Sequence, residues 1–147
     1  MKNVTLFLGS FALAVNSFAA SYTTTQITNN TYPDGSTQIN AQGGVVFTAQ
    51  VNAADMGVTV FKYDAATRAT AQLSTNNVFF DSHRINRHGD VVWMGHDGTD
   101  AEIFLYQAAS KSLVQLTNNT LDDTAAENSD NGDVAWFEQR GPTCISG

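Results

Sequence analysis

The chain repeats itself, and this repetition constrains its fold more than any other feature of the sequence. A Gln-Leu-Thr-like marker begins at Gln26, Gln72 and Gln115, so its three copies lie 46 and 43 residues apart. Such a period is typical of an array in which one small unit is stacked on the next. Two more markers keep the same order and spacing: Gly-Asp-Val-Val-Trp or similar at 43–47, 89–93 and 132–136, and Ile-Phe-x-Tyr or similar at 60–64 and 103–107.

Each repeat predicts four short strands. In the middle repeat we expect strands over 82–86, 91–94, 102–107 and 113–117, with a tight Gly-Asp turn over 87–90. The second of these is apolar at every position, which predicts burial on both faces. In the third, alternation places Phe104 on the face opposite Ile103 and Leu105. Four strands in roughly 40–45 residues is the period of a propeller blade.

The order of these markers resembles the TolB-like and WD-like β-propeller repeats of exported bacterial proteins, over roughly residues 23–137. The resemblance implies a scaffold and no particular activity, because propellers serve many uses. The sequence shows no counterpart to the separate amino-terminal domain of TolB proteins, so the resemblance implies the repeat and not a place in the Tol system. The Ser-Pro-Asp-Gly turn of TolB-like blades is replaced by other residues at 40–43, 86–89 and 129–132.

The predicted fold is all-β, an incomplete β-propeller of four-stranded antiparallel blades preceded by a signal peptide. A closed propeller needs about 4 to 8 blades, so we expect a truncated fragment of a longer propeller, with uncovered blade faces and self-association through them. The expected divisions are a signal peptide at 1–20, repeats within 21–137 (a lone fourth strand at 23–28, blades at 37–74 and 82–117, a partial blade at 125–137) and a non-repeat tail at 138–147.

The first 20 residues predict export. Lys2 supplies a positive start, residues 4–15 are mostly apolar and uncharged, and 17–20 offer small residues for a signal peptidase. The apolar stretch is shorter than the roughly 20 residues of a membrane-spanning helix. We therefore expect a periplasmic or extracellular protein without membrane insertion after signal removal. The single cysteine, Cys144, excludes an intrachain disulfide.

Composition narrows the class of partner. The formal charge is -7, with 14 acidic against 7 basic residues, which argues against binding to nucleic acid. Charged residues make up only 14% of the chain, against about 25% in an ordinary soluble domain. The polar uncharged residues and glycines that replace them favour strands joined by polar turns over a helical bundle.

Three carboxylates within six residues, Asp97, Asp100 and Glu102, are weak candidates for a calcium site. Calcium takes several oxygen ligands from one loop. The series lacks the Asp-x-Asp-x-Asp-Gly order, however, and the equivalent loop of the first blade carries only Asp55. A solvated loop is therefore the favoured interpretation, as it is for the acidic stretch at 122–133.

The sequence nominates no catalytic residue and no cofactor site. His83, His88 and His96 fall in different predicted elements without metal-ligand spacing, so we expect surface or turn residues. Asp81, Ser82 and His83 supply the residue types of a catalytic triad, but three consecutive residues of one strand cannot align as orienter, nucleophile and base. No Gly-x-Ser-x-Gly elbow and no phosphate-binding glycine loop is present.

These patterns favour a non-catalytic scaffold that binds protein or glycan partners through loops at one end of the strands. The alternative is the propeller part of an exported hydrolase or lyase whose catalytic residues lie outside this chain. A nonfunctional truncated product is the third interpretation. Asn-x-Thr sequences at Asn29 and Asn118 recur at the same place in the repeat, which turn chemistry explains better than glycosylation.

Overall fold

A computed structural model describes residues 23–52, 57–75 and 78–140, without the side chains of residues 80 and 81. The predicted signal peptide, Cys144, Asp55 and most of the predicted tail lie outside these ranges. In the described ranges no helix has the length and hydropathy needed to cross a membrane. The described residues form ten strands: β1 (Asp34–Ile39), β2 (Val45–Ala49), β3 (Thr59–Asp64), β4 (Ala69–Gln72), β5 (Val78–Ile85), β6 (Val91–His96), β7 (Ala101–Gln107), β8 (Ser112–Gln115), β9 (Asp123–Asn128) and β10 (Val134–Glu138).

The strands form two complete four-stranded sheets and one two-stranded sheet, in the orders β1-β2-β3-β4, β5-β6-β7-β8 and β10-β9. Every neighbouring pair is antiparallel. We call these sheets blade 1, blade 2 and the half-blade. The prediction of an all-β chain of four-stranded antiparallel blades is confirmed.

The second strand of blade 2 is buried on both faces, as its apolar sequence predicts. Val91 and Trp93 are 0% and 1% exposed, and Trp93 stacks on Phe104 with ring centroids 5.9 Å apart. Val92, on the opposite face, is also fully buried. The two faces belong to two separate cores: Val46, Val58, Val60, Leu73, Val78, Val91, Trp93 and Phe104 between blades 1 and 2, and Val92, Ile103 and Ala126 between blade 2 and the half-blade.

An asparagine in the turn between the first two strands links each complete blade to its neighbour. In blade 2, the Asn86 side-chain oxygen accepts hydrogen bonds from the backbone N–H groups of His88 (3.0 Å) and Asp90 (2.9 Å). Its amide donates to the Asp90 carboxylate and to the backbone carbonyl of Ser129, each at 3.0 Å. Asn86 therefore closes its own turn and holds the half-blade.

Blade 1 repeats this arrangement. The Asn40 side-chain oxygen accepts from the backbone N–H groups of Gln42 and Gly44, and its amide donates to the Asn86 carbonyl at 3.0 Å. A glycine at the third position after each asparagine adopts positive φ, 79° at Gly43 and 85° at Gly89, which other residues rarely adopt. Asn40 and Asn86, in turns that differ from the TolB-like pattern, thus hydrogen-bond each complete blade to the next unit. We call these two inter-blade bonds the asparagine ladder.

The fourth strand of each complete blade ends in a repeated anchor. The Ser74 hydroxyl accepts the backbone N–H of Val60 at 3.0 Å, and the Thr117 hydroxyl accepts that of Ile103 at 2.9 Å. These hydroxyls continue the pairing with the third strand beyond the last backbone pair. The hydroxyl residue at the third position of the Gln-Leu-Thr marker therefore recurs because it fixes the end of the fourth strand to the third strand.

Residues 23–28, expected to form a lone fourth strand, form no strand. Gln26 does make the local bond of the marker, donating from its side chain to the Thr28 carbonyl at 2.8 Å, as Gln72 does to Ser74. A fourth strand needs a third strand beside it, and no described strand lies there. The marker alone therefore predicts the local side-chain bond and not the strand.

The outer face of blade 1 is more covered than the sequence led us to expect. Phe47 stacks on Phe61 with ring centroids 5.5 Å apart, and Phe47 is only 3% exposed. Residues 27–32 line a cavity of ≈ 550 Å³ together with these two rings. This segment takes the place of a neighbouring blade and partly fills the space.

Replacing Asn86 with alanine tests the ladder. The change removes four part-buried hydrogen bonds and leaves two turn N–H groups without their acceptor, so we expect a loss of about 2–3 kcal/mol in the free energy of unfolding. Denaturant unfolding of Asn86→Ala measures this. The control is Asn131→Ala, an exposed side chain of the half-blade turn, which should change stability by less than about 0.5 kcal/mol. Equal stability of the two variants would show that the ladder carries no energy.

Trp93 and Trp136 occupy the same position in consecutive repeats and differ in burial, 1% against 42% exposed. We expect Trp93→Ala to cost about 3–5 kcal/mol because it leaves a cavity between blades. Trp136→Ala should cost less than about 1 kcal/mol, since much of that ring is already in water. Urea midpoints of the two variants provide the measurement. Similar losses from both would mean that the half-blade packs as blade 2 does.

Candidate functional site

The loop between β6 and β7 gathers acidic side chains, and we call residues 97–102 the acidic loop. It closes through a hydrogen bond from the backbone N–H of Asp97 to the carbonyl of Asp100, at 3.3 Å. The Asp97 carboxylate accepts the backbone N–H of Thr99 at 2.8 Å. Gly98, between them, has φ 116°, so the tight turn relies on glycine.

Three carboxylates of the acidic loop converge. One carboxylate oxygen from each of Asp97, Asp100 and Glu102 lies within 4.8 Å of the others. In the described ranges this is the one group of three or more histidine, cysteine or acidic side chains close enough to share a metal ion. The structure thus brings together the residues that the sequence nominated as weak calcium candidates.

Glu102 is fully buried and held from two sides. The Thr117 hydroxyl donates to one of its oxygens, and the backbone N–H of Asn119 donates to the other at 2.9 Å. Both donors belong to the connection between β8 and β9. The carboxylate is therefore fixed in position by hydrogen bonds and keeps further lone pairs on both oxygens.

Asp100 has a different environment. It is 9% exposed, and neither of its carboxylate oxygens has a hydrogen-bond partner. Burial raises the pKa of this carboxyl above its ordinary value, with repulsion from Glu102 and Asp97 adding to the effect. The pKa of Asp97 is instead lowered, chiefly by the hydrogen bond from the Thr99 N–H. Asp97 fits the expected solvated loop, whereas Asp100 and Glu102 do not.

The three histidines do not meet. His83 lies on β5 opposite Trp93 in the register and is fully buried, so the expectation of a surface or turn position is wrong for this residue. Its strand runs through the contact between neighbouring blades, which the sequence position did not reveal. His88 is exposed in the turn after β5, and His96 accepts the Gly98 N–H at the end of β6.

The remaining candidates are turn or strand residues. Ser82 directs its hydroxyl to backbone carbonyls, at 2.7 Å from Phe79 and 3.2 Å from Met94. The Asp81 side chain lies outside the described part. Asn29 and Asn118 are exposed in the connections that precede first strands. Sequence reasoning missed Thr117 and Asn119 as the groups that hold Glu102, although Thr117 ends the marker that begins at Gln115 and Asn119 follows two residues later.

A second surface feature is the unpaired edge of β10. This strand pairs with β9 on one side, and no described strand pairs with its other side, which we call the open edge. Trp136 is 42% and Phe137 72% exposed there. The sequence analysis led us to expect a partial blade at 125–137, and an unpaired edge is a consequence of such a blade.

Comparison with known proteins supports the fold. No model of a known protein family matches the sequence, and no curated protein sequence matches it. The crystal structure of TolB from Acinetobacter baumannii superposes on this chain with a TM-score of 0.55 and 18% sequence identity. The match covers 75% of this chain and 27% of that protein, so the chain spans about a quarter of its length. At this identity the likeness establishes the architecture alone: the chain has a TolB-like β-propeller fold.

Proposed function

We propose that this chain is a non-catalytic propeller module of an exported protein, and that it binds a protein partner which adds a β-strand to the open edge of β10. The single observation behind the proposal is that edge, with its exposed Trp136 and Phe137. An unpaired strand edge presents backbone N–H and C=O groups in a row, and an extended segment of another protein satisfies them.

Blade 2 supplies the template for the occupant. There β7 pairs with β6 from Val91 to His96 and places Phe104 directly opposite Trp93. The pairing and the stacked rings reduce the exposure of Trp93 to 1%. The partner strand for β10 should therefore be antiparallel, alternately apolar, and aromatic opposite Trp136.

The chemistry of the edge favours a protein over a glycan. Exposed aromatic rings stack on sugars as well as on side chains, so Trp136 and Phe137 do not discriminate between the two. The periodic backbone groups do, because only another backbone repeats donors and acceptors at the spacing of a strand. Glycan binding is thus the less favoured form of the scaffold hypothesis.

Two further parts of the proposal, export and the non-catalytic role, have separate support. The apolar, uncharged stretch at 4–15 with its positive start supports export. The non-catalytic role is supported by Ser82, whose hydroxyl is directed to two backbone carbonyls. Serine nucleophiles instead require a base within hydrogen-bonding reach.

A labelled peptide with the sequence of residues 101–117 provides the test. It carries the β7 and β8 strands, which would complete the half-blade as they complete blade 2. We expect saturable binding to the full chain, measured by fluorescence anisotropy, and at least about tenfold weaker binding to Trp136→Ala. A peptide with the same residues in scrambled order should not bind.

Phe79→Ala is the matched control for this experiment. Phe79 is 43% exposed, about the same as Trp136 at 42%, but lies on β5 and not on β10. Its removal should leave peptide affinity unchanged. Equal binding of the native and scrambled peptides, or an equal loss with both variants, contradicts a strand-accepting edge. Light scattering of the chain alone shows whether a second copy fills the edge: a dimer that Trp136→Ala dissociates identifies the chain as its own partner.

A further inference from the structure

The buried carboxylate of Asp100 lacks the hydrogen bonds that would stabilise its negative charge. Its two carboxylate oxygens are buried and lack any hydrogen-bond donor. An ionised carboxylate without a partner is strongly destabilising away from water, because neither hydration nor a counter-charge compensates it. The two side-chain charges that act on it most strongly, those of Glu102 and Asp97, carry the same sign.

The blade fold itself does not require these carboxylates. Val60 of blade 1 and Ile103 of blade 2 are equivalent, since each donates its backbone N–H to the hydroxyl anchor of its own blade. Counting back from them, blade 1 carries Thr59 where blade 2 has Glu102 and Gly57 where blade 2 has Asp100. Blade 1 nevertheless forms the same four strands. The acidic side chains are therefore particular to one loop.

We propose that Asp97, Asp100 and Glu102 bind one calcium ion. The convergence of their oxygens within 4.8 Å and the buried, unpartnered carboxylate of Asp100 together indicate a cation. Carboxylate oxygens are the ligands of hard cations, and a site without nitrogen or sulfur excludes a preference for zinc. Calcium fits better than magnesium because it accepts irregular sets of six to eight oxygens, so water would supply the ligands that the three carboxylates do not.

Two of the three ligands are already fixed. Hydrogen bonds from Thr117 and Asn119 hold Glu102, and the Thr99 N–H holds Asp97. A fourth carboxylate, Asp122, accepts the backbone N–H of Ala101 at 3.0 Å and adds negative charge beside Asp100. The ion would thus join the acidic loop to the connection that leads into the half-blade.

Calcium titration of the full chain by equilibrium dialysis tests the site. We expect one bound ion per chain, with a Kd of about 10⁻⁴ to 10⁻³ M, as in extracellular calcium modules. Bound calcium should also raise the Tm, since it binds only the folded chain. Magnesium at the same concentration should do neither.

The decisive variant is Asp100→Asn, which keeps the shape of the side chain and removes its charge. We expect at least about tenfold weaker calcium binding and no calcium-dependent rise in Tm. In the absence of calcium its Tm should equal or exceed that of the wild type, because the repulsion within the loop is reduced. The control is Asp133→Asn, which makes the same charge change in an exposed acidic turn of the half-blade and should bind calcium as the wild type does.

Two results would overturn the proposal: a wild-type chain that binds no calcium up to about 10 mM, well above the range of such sites, or a folded Asp100→Asn chain that binds it as well as the wild type. Should Asp100→Asn fail to fold, Asp97→Asn replaces it, because Asp97 is exposed and its loss does not disturb the core. It too must weaken calcium binding at least about tenfold. Unchanged affinity in that variant would exclude the site.

Discussion

Burial of β6 on both faces is the constraint on which the other elements depend. Val91 and Trp93 pack toward blade 1, while Val92 packs toward the half-blade. A sheet with two apolar faces cannot be stable with water on either side, so blade 2 requires a neighbour on each. Blade 2 is the one complete described blade that has both neighbours, and it carries six of the ten largest fully buried side chains among the described residues.

The two ends of the array meet this constraint in different ways. On the outer face of blade 1, residues 27–32 lie beside the stacked rings of Phe47 and Phe61, and Phe47 is almost fully buried. At the other end, no described strand pairs with the open edge of β10, and Phe137 is largely in solvent. The difference in burial between two equivalent aromatic positions, Phe47 and Trp136, records this asymmetry.

Much of the architecture could be predicted from the sequence because the same pattern of strands and turns occurs in each repeat. Spacing, strand alternation and the glycine turns recur in each repeat, so each copy supports the interpretation of the others. The alternation of β7 appears in the structure as predicted, with Phe104 and Ile103 in different cores. Residues 23–28 show the limit of this reasoning, because strand formation depends on a partner strand that the segment's own sequence does not encode.

The candidate site was harder to predict for a physical reason. The sequence shows that Asp97, Asp100 and Glu102 are near one another along the chain, but charge and spacing alone suggest a loop in water. Burial of Asp100 arises from tertiary packing around the loop. The donors to Glu102 come from Thr117 and Asn119, more than a dozen residues away. His83 was misjudged for the same reason, since its burial depends on the blades on either side.

The asparagine ladder has a direction. Asn40 donates to the turn of blade 2, and Asn86 donates to the turn of the half-blade. In both bonds the donor belongs to the earlier unit in the chain and the acceptor to the later one. In the half-blade the position is held by Ser129, whose hydroxyl accepts two turn N–H groups and donates its single proton back to Asp133. Ser129 therefore has no side-chain amide to donate onward, and the neighbouring amide of Asn128 donates back to the Asp90 carbonyl of blade 2 at 3.0 Å. A unit packed beyond the half-blade would receive no side-chain amide bond from Ser129, and strand pairing and apolar contact would have to hold it instead.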